Sequence, residues 1–109
     1  MPFAYLPGYR FRLDHDGYLR CWELLRQADI EFIEWTRSAQ NIGTSQQLET
    51  TVDGQLRSKS GIATCYLRAF GKHFRLVVLV VGDPPPPIVD EVRVALGKHV
   101  LGRYNSFNL

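Results

Sequence analysis

Ile62-Ala-Thr-Cys-Tyr-Leu-Arg-Ala-Phe70, then Gly71-Lys72, then His73-Phe-Arg-Leu-Val-Val-Leu-Val-Val81 is the stretch whose reading decides the fold. Both arms are rich in β-branched and aromatic residues, and a two-residue connection with glycine first separates them. That is the pattern of a type II′ β-hairpin. Such a turn sets the register, so residues whose numbers sum to 143 face each other. One face then carries Ala63, Cys65, Leu67 and Ala69 opposite Val80, Val78, Leu76 and Phe74. It is wholly apolar and forms the core side.

The other face sets Arg68 opposite Arg75, beside Tyr66 opposite Val77 and Phe70 opposite His73. Like charges directly across a sheet destabilise it by up to about 1 kcal/mol, so an anion is expected next to them. Glu31 or Glu34 from an earlier strand would serve. So would a phosphate or carboxylate of a partner, which arginine binds in planar, bidentate fashion.

Upstream, Tyr9-Arg-Phe-Arg-Leu13 alternates apolar with basic and predicts a short strand with one solvated face. Asp14-His-Asp-Gly17 breaks it, with Asp16-Gly17 read as a turn. Tyr18 to Ala28 reads best as a helix, with Tyr18, Cys21, Trp22, Leu25 and Ala28 on one face and Asp14 or Asp16 capping its start. A strand paired with residues 9–13 is the alternative. Ile30 to Arg37 alternates as a strand does. Ser38 to Thr51 is polar and without period, and is expected to be the longest loop and the most mobile segment. Asp53-Gly-Gln-Leu-Arg57 echoes Asp16-Gly-Tyr-Leu-Arg20, which reads as two turns of similar chemistry rather than an internal repeat.

Downstream, Pro84 to Pro87 predict a stiff spacer leading into a helix, with Pro87 suited to its first position. Ile88 to Leu101 reads as that helix. Val89, Val92, Leu96 and Val100, joined by Ala95, form its apolar stripe, and Gly102 closes it. Asp90 and Glu91 near its start and Lys98, His99 and Arg103 near its end suit the helix dipole. The expected fold is α+β: an antiparallel sheet of four to five strands, with this helix packed on one face and another helix near residues 18–28.

A chain of 109 residues fits one domain, residues 1–109. The longest apolar run, Leu76 to Val81, is far short of the about 20 residues that span a membrane. No signal-peptide pattern opens the chain. Cys21 and Cys65 match no metal or redox spacing and read as buried free thiols in a cytoplasmic protein. Residues 1–53 hold 5 Lys/Arg and 8 Asp/Glu, whereas residues 54–109 hold 8 and 3, so the second half is the basic one. That polarity can orient the protein toward an anionic partner or a second copy.

Nucleotide-binding, zinc-protease, serine-hydrolase and calcium-loop motifs are absent from the sequence. His15, His73 and His99, in a turn, on a strand and on a helix, imply no metal site, and no cofactor is expected. The cluster with a chemical character is Tyr66, Arg68, Lys72, His73 and Arg75, basic residues interleaved with aromatics, which suits single-stranded nucleic acid. The leading expectation is a non-enzymatic, dimeric binding module that contacts an anionic macromolecule, nucleic acid before others. Its alternative is a small metal-independent ribonuclease using His73, Arg75, Arg68 and Tyr66 as base, phosphate-binding cations and acid. The order of elements is similar to that of small bacterial toxin nucleases, a likeness of architecture without a shared motif. A protein-interaction or inhibitor domain presenting Asp29, Glu31 and Glu34 is the third reading. For dimerisation or docking, the abundance of large aromatics (Tyr5, Tyr9, Trp22, Trp35, Tyr104 and Phe107) implies that some are exposed.

Overall fold

The hairpin turn forms where its glycine places it. The computed structural model describes residues 8–41, 48–80 and 84–102. In it Gly71 takes φ +60° while Lys72 stays at negative φ, as a type II′ turn requires. The flanking strands pair with Arg68 opposite Arg75, Tyr66 opposite Val77 and Phe70 opposite His73, the register that the turn implies.

Along the described residues the order is β1 (Gly8–Leu13), α1 (His15–Gln27), β2 (Glu31–Asn41), β3 (Leu48–Ser58), β4 (Gly61–Phe70), β5 (His73–Leu79), α2 (Ile88–Leu96), a 3₁₀ turn (Gly97–His99) and β6 (Val100–Gly102). The strands form one antiparallel sheet in the order β2-β3-β4-β5-β1-β6. This is an α+β fold with six strands, slightly more than the four to five expected.

The core lies between one sheet face and the two helices. Phe11, Leu13, Val52, Leu56, Ala63, Cys65, Leu67, Leu76, Val78 and Val80 meet Cys21 and Leu25 of α1 and Ile88, Val89, Val92 and Leu96 of α2. Each fully buried aliphatic contributes about 1.5–3 kcal/mol. Aromatic stacks fix α1 across the sheet: Tyr18 lies on Phe74 at 4.3 Å and Trp22 on Phe32 at 4.1 Å.

Residues 18–27 are helical, as favoured, with Ala28 as the C-cap, but α1 begins earlier, at His15. Asp14 is its N-cap, and the Gly17 N–H donates to Asp14 Oδ1 at 2.6 Å. Asp16-Gly17 is therefore part of the helix and not a turn. Gly17 is glycine for space, since a Cβ there would meet His99 Cβ at 2.4 Å. The echo at Asp53-Gly54 is likewise no turn but the middle of β3. A Cβ on Gly54 would meet Ile33 O at 2.3 Å and the Phe32 ring at 2.4 Å.

Helix α1 ends in a Schellman motif. The Ile30 N–H donates to Leu25 O at 2.9 Å, the Asp29 N–H donates to Arg26 O at 3.0 Å, and Asp29 takes φ +60°. Leu25 and Ile30, both buried, make the apolar contact that accompanies it.

Three further expectations are corrected. Ser38 to Thr51 is not one long loop, because β2 runs on to Asn41 and β3 starts at Leu48. Ser38, Gln40, Asn41, Glu49, Thr50 and Thr51 belong to strands whose pairing is set by the neighbouring backbone, and residues 42–47 lie outside the described residues. The last helix stops at Leu96, where Gly97 adopts φ +54°, and not at Gly102. Val100 and Gly102 belong to β6 and pair with β1 at Leu13 and Arg12. Accordingly His15 lies in the first turn of α1, and His99 lies in the 3₁₀ turn. Tyr5, Arg103, Tyr104 and Phe107 fall outside the described residues. Among the described residues no helix is long and apolar enough to cross a membrane. Cys21 and Cys65 are free and buried.

Candidate functional site

The face opposite the helices carries the chemistry. In β1 the alternation of Tyr9, Phe11 and Leu13 with Arg10 and Arg12 turns both arginines to this face. The pairing of β1 with β5 places Arg12 opposite Arg75, and Arg75 is in turn opposite Arg68. Three arginines therefore stand in one cross-strand row, Arg12–Arg75–Arg68, with neighbours about 4.8 Å apart in backbone spacing. Lys72 extends the charge at the hairpin tip, and Arg10 flanks the row.

Two carboxylates of β3 stand beside Arg68. Glu49 is only 8% exposed, and its Oε2 lies 2.7 Å from Arg68 Nε. The two charges are in contact, although the Nε–H is not aligned as a hydrogen bond. Glu31 and Glu34, expected to neutralise the arginines, do not: Glu31 is 3.7 Å from Arg57 and Glu34 is 3.5 Å from Arg37. Strand β2 is separated from β4 by β3, so neither glutamate can stand beside Arg68. Asp53 is also near Arg68. Burial raises its carboxyl above the ordinary value, and Arg68 pulls it the other way.

Tyr66 is 7% exposed and packs with Val77 and Leu79 in a small buried cluster on this face. Its ring therefore supports the site from below instead of offering a stacking surface. The Arg68 guanidinium lies 5.4 Å from the ring centroid. Burial raises the phenol above its ordinary range, while Arg68, Arg10 and Arg75 draw it down, so the hydroxyl stays protonated near neutrality.

Two adjoining hollows open over these residues. One, of about 240 Å³, is lined by Glu49, Arg68, Phe70, His73 and Arg75. The other, of about 420 Å³, is lined by Arg12, Leu13, Lys72, His73, Phe74, Arg75 and Leu101. Of the residues singled out in sequence, Arg68, His73 and Arg75 come together in the first hollow. Lys72 joins His73 and Arg75 in the second, and Tyr66 lines neither. Arg10, Arg12 and Glu49 were missed. The alternation in residues 9–13 already puts both arginines on one face, but nothing local says that β1 lies beside β5. Glu49 sits in a stretch read as loop.

A hollow of about 560 Å³ on another part of the surface is lined by Trp22, Arg26, Asp29, Ile30, Glu31 and Phe32. It gathers two of the acidic residues considered for protein interaction, but Glu31 there is engaged by Arg57. Trp35, on the edge strand β2 beside a register shift, is 57% exposed. Among the described residues no group of three or more His, Cys, Asp or Glu is assembled as a metal ion would need.

Comparison with protein-family models, with curated proteins and with solved structures finds no match to this chain.

Proposed function

We propose that this protein is a binding module for single-stranded nucleic acid, and that the sheet face bearing Arg12, Arg75 and Arg68 is its contact surface. The observation that carries this reading is the in-register arginine row. Like charges placed in consecutive facing positions work against the sheet. A polyanion laid across the strands turns that cost into attraction. Phosphates would pair with the guanidiniums, and Phe70 and His73 in the adjacent row offer ring surfaces for a base. Sheet faces that combine cations with rings suit unpaired strands, whose bases are free to splay and stack.

The test is retention of end-labelled single-stranded RNA and DNA over a salt series. Each phosphate neutralised on a single strand contributes a slope of about −0.7 in log K against log salt. Arg12→Gln combined with Arg75→Gln should weaken retention and flatten the slope by about 1.4. A double variant that binds with the parent's affinity and slope would remove this surface from the reading.

A further inference from the structure

The hollow formed by Glu49, Arg68, Phe70, His73 and Arg75 holds more than a binding surface needs. In one cross-strand row Glu49 faces Phe70 and Phe70 faces His73, so a carboxylate and an imidazole flank an aromatic ring. In the neighbouring row on the same face stand Arg68 and Arg75. Two strand spacings separate Glu49 from His73, about 10 Å between Cα atoms. The hollow over this row, of about 240 Å³, is large enough to admit one phosphate above Phe70.

The geometry points to a ribonuclease: this hollow cleaves single-stranded RNA by internal transfer to the 2′-hydroxyl. It rests on the same face accepting RNA. Glu49 takes the proton from the 2′-hydroxyl, whose oxygen attacks the adjacent phosphorus. The bond from phosphorus to the 5′-oxygen of the next nucleotide breaks, and His73 gives that oxygen its proton. The products are a 2′,3′-cyclic phosphate and a free 5′-hydroxyl. One P–O bond forms and one breaks, one proton leaves the 2′-hydroxyl for Glu49 and one reaches the 5′-oxygen from His73, so neither oxidant nor co-reactant is required.

Each residue has a reason to stand where it does. An in-line displacement needs base and acid on opposite sides of the phosphorus, and Glu49 and His73 come from strands on opposite sides of β4. Negative charge builds on the non-bridging oxygens in the transition state, and Arg68 and Arg75 are fixed by the sheet to meet it. The Glu49 carboxylate is nearly buried yet lines the hollow, held beside Arg68. Phe70, between Glu49 and His73 in their row, is the surface for the ribose or base. DNA fits the same groove but brings no nucleophile.

The experiment incubates the full chain with end-labelled single-stranded RNA, the matching DNA, and the RNA with one 2′-deoxy position, with and without chelator. The expected result is RNA cut to 2′,3′-cyclic ends, chelator without effect, DNA intact and the 2′-deoxy position spared. His73→Ala and Glu49→Gln, purified identically, should each cut at least about 100-fold more slowly. His73 is exposed, so its variant folds, as circular dichroism can verify even where Glu49→Gln does not. RNA retained in a salt-dependent way but left intact overturns this inference and leaves the binding reading standing. Neither retention nor cleavage overturns both. Cleavage by His73→Ala at the parent's rate also overturns it.

Discussion

Arg68 Nε stands 2.7 Å from Glu49 Oε2, so the charge that answers the facing arginines comes from the strand next to theirs. Glu49 is nearly buried and Arg68 is about one-third exposed, so the pair is screened on one side only. Glu49→Gln should lower stability by about 1 kcal/mol, between the values for surface and buried pairs. Phosphate or sulfate ion should then raise the melting temperature of the variant more than that of the parent, by supplying the negative charge lost beside the arginine row. Thermal denaturation with and without phosphate checks both parts, and an equal response in the two proteins would argue against an anion site.

Gly17→Ala reverses the usual helix rule. In an exposed helix interior the change gains about 1 kcal/mol. Here the new Cβ would come within 2.4 Å of His99 Cβ, an atom fixed to the backbone of the 3₁₀ turn. A loss of about 1–3 kcal/mol is expected from such overpacking. Urea denaturation measures it, and a stabilised variant would show that the turn moves aside freely.

Asp29→Gly should do the opposite. Asp29 closes the Schellman motif at φ +60°, where an L side chain is strained and glycine is not. A gain of up to about 1 kcal/mol is expected in denaturant unfolding, with circular dichroism of the folded protein unchanged.

Acid should loosen the ends of both helices. The Gly17 N–H, and after it His99 Nδ1 at 3.3 Å, hold the Asp14 carboxyl below its ordinary range. The hydroxyls of Ser58 and Ser60 do the same for Glu91 on α2. Both contributions are fully present above the unfolded carboxyl values, about 3.9 and 4.3, and fade as pH falls through the lower folded ones. Asp53, raised by burial, acts in the opposite sense and softens the trend. Stability measured from pH 6 down should therefore fall less steeply in Asp14→Asn than in the parent.

The two thiols govern the alkaline side. Burial pushes Cys21 up to about 12 and raises Cys65 as well. Stability from both is complete below about pH 8.5, the unfolded thiol value. It is lost as pH climbs toward the folded values, at up to about 1.4 kcal/mol per pH unit for each thiol. In the native protein at neutral pH neither should react with a thiol reagent on the timescale on which the unfolded chain reacts at once.

The parts of this fold that were legible in sequence are those decided by neighbours in the chain. Gly71-Lys72 fixed the register of β4 with β5, and with it the apolar face and the meeting of Arg68 with Arg75. The spacing of Cys21, Trp22 and Leu25 marked α1. What was hidden depends on distant partners. Gly17 and Gly54 look like turn residues, but their missing side chains make room for His99 and for Phe32, which nothing nearby announces. The polar stretch around Glu49 becomes strand because β2 and β4 hydrogen-bond to β3 from both sides. The site divides along the same line: Arg68, His73 and Arg75 were found through one turn, whereas Arg12 and Glu49 reach it through pairings of distant segments.

The place of β1 between β5 and β6 also governs when the arginine row is complete. As the chain is synthesised, β1 emerges first yet has no strand to pair with until β5 has followed it. Its apolar residues Tyr9, Phe11 and Leu13 must wait through that interval. The β4–β5 hairpin closes over a two-residue turn and can form in microseconds, whereas β1 must search across most of the chain. Arg68 and Arg75 thus meet early, Arg12 joins them only as the sheet is finished, and the full surface exists only in chains that have folded to the end.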